Sequence, residues 1–379
     1  MKGKCILCGR KLNENNNLLK LNNLPSSAQD IPNLAELDND CGIELTLYQC
    51  PDCGLVQFDC EPVEYYKKVI RAGGETRTMV DLRNQQYSDF IAKYNLKGKK
   101  ILEVGCGRGE FLKIWNNFDV DAYGIEYNDE LVKIACDEGL KVSQFFIDNK
   151  DSIVNNGPYD AFCQFNFLEH QPYPNDMLQG IYNNLVENGV GLVTVPSLEY
   201  ILKYNGYYEL IRDHIAYYSE DSLKLLFQKN GFEVLSVRTI NRDTHEIIVQ
   251  KRKKVDVSVW NNKFNILKEE FDEYISEYKK KNLKIAVWGA SHQGFTLIPT
   301  MGITDSVEYI IDSAKFKQGL YAPASHLKIV SLDYAIENPV DSILIIAPGY
   351  TDEIANIIRK RFKNNIDIRT LRSDHIEKL

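Results

Sequence analysis

Three glycines in five residues, Gly105, Gly107 and Gly109, close a short apolar strand, Ile101 to Val104, and a helix-like pattern follows. Glycine at such a bend lets the backbone turn tightly and approach a ligand without a Cβ in the way. Glu103, at the strand's end, can accept hydrogen bonds from an amino group. A second acid, Glu126, ends Tyr123-Gly124-Ile125-Glu126. It comes roughly 20 residues later, the interval at which a doubly wound fold closes its second strand. A carboxylate there can take both hydroxyls of an adenosine ribose. The bend lacks the Lys-Ser/Thr pair of a phosphate cradle, and its G-x-G-x-G spacing departs from the G-x-G-x-x-G of an NAD site. The plain alternative is an ordinary βαβ turn with a surface glutamate.

Four of the nine cysteines are paired. Cys5-Ile6-Leu7-Cys8-Gly9 and Cys50-Pro51-Asp52-Cys53-Gly54 are two C-x-x-C-G knuckles. A two-residue gap lets both thiolates point at one ion, and the glycine frees a backbone N–H to turn toward the sulfurs. Cys5, Cys8, Cys50 and Cys53 then form the tetrahedral set of a structural zinc site. With four protein ligands no coordination position is left for chemistry. Two copies with following glycines weigh against a redox-active pair. The long segment between them must form its own excursion. The other cysteines are scattered and read as small buried hydrophobes.

Two histidines could move protons near neutral pH. His170 follows the strand Tyr159 to Asn166, on the side where open parallel sheets bind ligands. His214 lies in Arg212-Asp213-His214-Ile215-Ala216-Tyr217-Tyr218-Ser219, where Asp213 could orient it. Neighbouring side chains on a strand point apart, so that pairing requires a loop or helix. The bland reading is a helix capped by Ser219, with a solvated Asp-His ahead of it.

The elements that position these groups alternate strand and helix. An amphipathic helix over 82–95 precedes the glycine bend, and another runs from Asp129 to Gly139. Strands follow at Tyr159 to Asn166 and at Gly189 to Pro196, with a later one opening at Gly231-Phe232. Lys251 to Lys281 is charged, has apolar residues at helical spacing, and reads as a bridge opening on a solvated linker. A second strand–glycine–helix unit opens at Lys284-Ile285-Ala286-Val287-Trp288-Gly289 and continues through His292 and Gly294, with Asp312 at a later strand end. The pattern is a doubly wound α/β core, Rossmann-like, with an N-terminal zinc module and a smaller C-terminal α/β domain. The expected bounds are 1–65, 66–250 and 251–379.

At 379 residues and 44% hydrophobic content the chain can bury two or three cores. A net charge of −8 with no dense basic block argues against a nucleic-acid partner. No apolar run approaches a membrane span, and Met1-Lys2-Gly3-Lys4 leads into a cysteine pair rather than a signal sequence. A cytoplasmic protein without a membrane partner is expected.

Ile101-Leu102-Glu103-Val104-Gly105-Cys106-Gly107-Arg108-Gly109 resembles motif I of class I S-adenosylmethionine (SAM) methyltransferases at every position. The order of a four-cysteine N-terminus, this core and a C-terminal unit with Gly289-Ala290-Ser291-His292-Gln293-Gly294 resembles the three-domain sugar C-methyltransferases over nearly the whole chain. That resemblance implies SAM as cofactor, held by Glu103, Gly105, Gly107 and Glu126 with Asn166 nearby. It implies a nucleotide-linked keto-deoxysugar as acceptor, His214 as base, Asp213 as its partner, and His170 as a second polar contact. The C-terminal unit, through Gly289 and His292, would help hold the nucleotide sugar. Two positions differ from the family: Ile211 stands where it has a tyrosine, and 69–76 replaces a tyrosine-rich stretch. Arg71 and Arg212 are candidate electrostatic stabilisers or anion contacts in their place. Competing expectations are O- or N-methyl transfer to another small molecule, and a non-catalytic scaffold of the same fold.

Overall fold

The computed structural model describes residues 3–68, 76–372 and 374–379. The chain divides into two compact units, 1–254 and 255–379. In the first unit, β1 (Asn17–Leu24), β2 (Ile43–Gln49) and β3 (Val56–Phe58) form an antiparallel sheet. Then come α1 (Arg77–Tyr94), β4 (Lys100–Val104), β5 (Asp121–Glu126), α2 (Asp129–Asp137), β6 (Val142–Gln144) and β7 (Tyr159–Phe165). The unit continues through α3 (Pro174–Asn183), β8 (Leu185–Pro196), α4 (Leu198–Lys203), β9 (Ala216–Tyr217), α5 (Glu220–Lys229), β10 (Phe232–Ile240) and β11 (Thr244–Lys251).

The main sheet has the order β10-β11-β8-β7-β4-β5-β6, with β11 antiparallel to both neighbours and the other pairings from β8 to β6 parallel. From β4 the chain moves outward to β5 and later returns on the other side as β7. This reversal opens a crevice beyond the carboxyl ends of β4 and β7. Alternation along β4 buries Ile101 with Tyr87, Phe90 and Trp115 on one face, and Leu102 with Phe162, Leu178 and Phe227 on the other. Both faces are covered, as a parallel sheet requires.

Local chemistry sets the helix starts. The Thr76 side chain accepts the Met79 N–H at the head of α1, five residues earlier than its apolar pattern suggests. Asn128 caps α2, and Ser219 with Ser222 forms a capping box on α5. The helix expected directly after the glycine bend is instead a 3-10 stretch, Leu112–Asn117. Leu112, Ile114 and Trp115 are all buried, a spread wider than one apolar stripe of an α-helix covers. Lys251, expected in a solvated linker, is the buried last residue of β11. Its Nζ donates to the Leu185 carbonyl at 2.8 Å.

In the second unit, α6 (Ser258–Lys280) precedes β12 (Ile285–Trp288), α7 (His292–Thr300), β13 (Val307–Ile311) and β14 (Ile329–Val330). It ends with α8 (Leu332–Glu337), β15 (Ser342–Ile345), α9 (Thr351–Arg361), β16 (Asp367–Leu371) and β17 (Ile376–Lys378). The sheet order is β14-β13-β12-β15-β16-β17, parallel except for β17. The helix expected as a bridge, α6, buries Phe271, Tyr274, Ile275 and Tyr278 in this unit's own core. Among the described residues no helix is long and apolar enough to cross a membrane.

Candidate active site

The glycine bend leaves β4 with Gly105, Gly107 and Gly109 all in the left-handed region, at φ of 72°, 61° and 87°. Glu126 at the end of β5 holds it open. Its Oε2 accepts the Gly107 N–H at 3.1 Å and its Oε1 accepts the Asn128 N–H at 2.8 Å. Asn166, just past β7, takes a positive φ of 50° and accepts the Thr194 hydroxyl at 2.7 Å. Gly105, Gly107, Glu126 and Asn166 line one cavity of about 380 Å³ beyond the ends of β4 and β7. Glu103 is not among the lining residues. It is fully buried in β4, opposite Cys163 of β7.

The same cavity receives His170 and His214. Their rings meet edge to face, with centroids 4.7 Å apart at 81°. His170 Nδ1 lies 2.9 Å from the Asp213 carbonyl, so Nδ1 carries the proton and Nε2 keeps its lone pair. Burial pushes the His170 imidazole down to about 4. Burial, and then its neighbour His170, push His214 down to about 3. Both rings are neutral at pH 7, the form a base requires.

Adjacency suggested an Asp213–His214 pair, but the Asp213 carboxylate is engaged elsewhere. Oδ2 accepts the Tyr65 hydroxyl at 2.6 Å, and Oδ1 accepts the Ala28 N–H at 2.7 Å. Burial and then the Asp213 carboxylate raise the Tyr65 phenol. Arg212 donates to the Glu61 carbonyl and is not among the cavity's lining residues. Arg71 lies outside the described residues. Ile211 lines the cavity, and the Tyr217 hydroxyl fixes its backbone by accepting its N–H at 2.9 Å.

Several participants escaped the sequence reading. Tyr65 is 148 residues from Asp213, and its only signal was the Tyr65-Tyr66 pair a few residues ahead of the stretch compared with the family. Ala28 and Gln29 come from the excursion between the two knuckles and line the cavity. Arg83 of α1 lines it too, with its guanidinium 3.8 Å from the Phe165 ring centroid. Glu169 was passed over beside His170.

The four knuckle sulfurs lie within 4.8 Å of one another, Cys5 to Cys53 and Cys8 to Cys50 each at 3.4 Å. Soft thiolates in such a cluster fit a tetrahedral ion with bonds of ~2.3 Å. Gly9 and Gly54 turn at φ of 80° and 72°, and their N–H groups donate to the Cys5 and Cys50 carbonyls, not to sulfur. In the second unit a Cβ on Gly289 would sit 2.5 Å from the Ile346 carbonyl oxygen, so strand packing alone demands that glycine. His292 opens α7 and is exposed. Asp312 accepts the Ala290 N–H at 3.0 Å, bracing the turn much as Glu126 braces the first.

Residues 78–237 match a family profile described as a methyltransferase domain, and 236–367 match the C-methyltransferase C-terminal domain. Together the two profiles span residues 78–367, a methyltransferase domain followed by a C-methyltransferase C-terminal domain. It is 23% identical over 300 residues to the C-methyltransferase NovU of Streptomyces niveus, a match covering 70% of each chain. A shorter match, 29% over 90 residues, links this methyltransferase to the ubiquinone biosynthesis O-methyltransferase of Bordetella avium, covering 22% of this chain and 37% of that one. A SAM-dependent methyltransferase from Clostridium acetobutylicum aligns in structure over 46% of this chain and 92% of its own, at 13% identity and a TM-score of 0.39. This methyltransferase is SAM-dependent, and its glycine bend, with Glu126 at the cavity, fits that cofactor.

Proposed function

We propose that this methyltransferase adds a methyl group to the carbon beside the ketone of a nucleotide-linked deoxysugar. SAM, when bound, supplies an electrophilic methyl on a sulfonium. The chain must then align the acceptor and take one proton from it, and positioning with a single base supplies most of the rate. The supporting observation is the pair of neutral histidines opening into the cavity that also contains the glycine bend. His214 is the base. His170, its tautomer set by the Asp213 carbonyl, presents Nε2 to the acceptor. Asp213 acts at one remove, holding this loop against Tyr65 and Ala28. Glu126, Gly105, Gly107 and Asn166 contact the cofactor, and Glu103 supports its amino-acid end from within β4. Gly289 and His292 are the proposed nucleotide contacts of the second unit. The four cysteines hold a structural zinc.

The test is mass spectrometry of nucleotide-linked keto-deoxysugars incubated with the protein and SAM carrying an isotope-labelled methyl. A labelled methyl on carbon supports the reading. Label on oxygen or nitrogen favours the second reading, O- or N-methyl transfer, for which the partial likeness to O-methyltransferases speaks. Calorimetry that finds no binding of SAM or S-adenosylhomocysteine would make the protein a scaffold.

A further inference from the structure

Glu169 is a buried carboxyl that neither the cofactor contacts nor the base accounts for. It lies in the turn Leu168–His170 after β7, is 2% exposed, and its Oε2 makes no hydrogen bond among the described residues. One of its oxygens, one ring nitrogen of His170 and one of His214 lie within 4.8 Å of one another. All three residues line the cavity. Among the described residues the titratable groups around it are those two histidines, Asp213, and Tyr217 and Tyr218 at β9. The cations lining the same cavity are engaged elsewhere, Lys67 over the Phe146 ring and Arg83 over Phe165. Among the described residues no cation lies beside it, and a carboxyl taken out of water without one keeps its proton. Burial accordingly pushes Glu169 up to about 8.

We infer that Glu169 donates the hydrogen bond that receives the negative charge developing on the carbonyl oxygen of a ketone acceptor, while His214 removes the neighbouring C–H proton. This role rests on the ketone reading above. The acceptor's C–H bond breaks and its proton forms an N–H bond on His214. The released electron pair becomes the C=C bond of the enolate, and the carbonyl π pair moves onto oxygen, which accepts the hydrogen bond of the Glu169 O–H. An imidazolium and a hydrogen-bonded enolate thus arise side by side from neutral groups, and the cavity never holds an isolated ion. When the ketone re-forms, the Glu169 O–H again faces a neutral carbonyl. Asp213 cannot serve, because both its oxygens already accept hydrogen bonds from Tyr65 and Ala28. A neutral carboxylic acid used as a donor in an apolar site is established enolisation chemistry.

The test uses the full chain, without SAM, and a nucleotide-linked 4-keto-6-deoxyhexose in D2O. Wild type should exchange deuterium into the position beside the ketone. Glu169→Ala should slow that exchange by roughly 10²–10³-fold, and Glu169→Gln, whose amide still donates, should stay within about tenfold of wild type. Both variants should bind SAM as wild type does. Independently of any acceptor, infrared difference spectra of wild type against Glu169→Gln should show a protonated-carboxyl stretch at pH 7 that fades with a midpoint near pH 8. Absence of that band overturns the role. So does wild-type exchange that Glu169→Ala leaves untouched, or a divalent metal bound beyond the four-cysteine ion and lost in Glu169→Gln, since a ligating carboxylate carries no proton. No exchange in wild type defeats the ketone reading itself, and this role with it.

Discussion

Replacing Glu169 by glutamine should change how stability depends on pH, in a direction fixed by linkage. Burial raises the folded carboxyl from its ordinary 4.5 to about 8. Below about pH 4.5 both folded and unfolded chains hold this proton. Between there and pH 8 the unfolded chain has lost it while the folded one keeps it. The contribution is therefore fully present in acid and lost as pH rises, at ~1.4 kcal/mol per pH unit and on the order of 5 kcal/mol over the whole interval. Glutamine carries no such penalty. The buried histidines work in the opposite direction: their lowered folded values make stability fall as pH drops below 6.5. Both proteins contain them, so the difference between wild type and Glu169→Gln isolates the carboxyl. Urea unfolding at pH 5, 6, 7 and 8 can be read by hydrogen exchange of peptides from β4 and β7, which report the first unit alone. Wild type should lose ground steadily against the variant as pH rises. A difference that stays level across the series would mean an ionised Glu169 in the folded protein, and the reasoning about its proton would fail.

Other outcomes follow from the same geometry. His214→Ala should cost at least 10²-fold in turnover while the Kd for SAM stays within about twofold, and turnover surviving within about tenfold would remove its assignment as base. Glu126→Gln leaves one of two backbone N–H groups facing an amide NH2 instead of an acceptor. The loss of about 1–3 kcal/mol should weaken SAM binding by roughly 5- to 150-fold in calorimetry, and an unchanged Kd would exclude Glu126 from cofactor binding. Cys5→Ser should lower zinc content by elemental analysis and lower the unfolding midpoint of the first unit, whereas wild type purified metal-free from zinc-replete medium would rule out zinc. Gly109→Ala would place a Cβ 2.2 Å from Leu140 Cδ1 at φ of 87°. A destabilisation of roughly 2–3 kcal/mol is expected, and Leu140→Ala should relieve part of it in a double-mutant cycle.

The sequence was most legible where chemistry is written in consecutive residues. Glycines 105, 107 and 109, the acid 126 and the two cysteine knuckles are short-range patterns, and the structure gathers each into one bend or one sulfur cluster. Strand identities were readable for the same reason, since apolar runs between turns leave few alternatives. What stayed hidden was which distant groups meet. Nothing near Asp213 in the chain foretells that Tyr65 and Ala28 would occupy its carboxylate, and adjacency points instead to His214, across a loop or helix. Glu169 was overlooked because its importance comes from burial, which periodicity does not report for a residue in a tight turn. The pattern after the glycine bend is helix-like, and Leu112–Asn117 winds as a 3-10 stretch that buries Leu112, Ile114 and Trp115, a difference of local winding that apolar spacing over six residues does not report.

The strand β9, which begins two residues beyond His214, zips onto β3 of the cysteine module, with Val56 opposite Tyr217 and the Phe58 N–H on the Ile215 carbonyl. Ala28, from the same module, grips Asp213. The cysteine module therefore works as a splint for the 211–217 loop and cannot be treated as a detachable tag. A chimera spliced near residue 65 would import a foreign splint, and its 211–217 loop would inherit the donor's alignment. Anyone exchanging acceptor preference between relatives should transplant the N-terminal module and the 211–217 loop together.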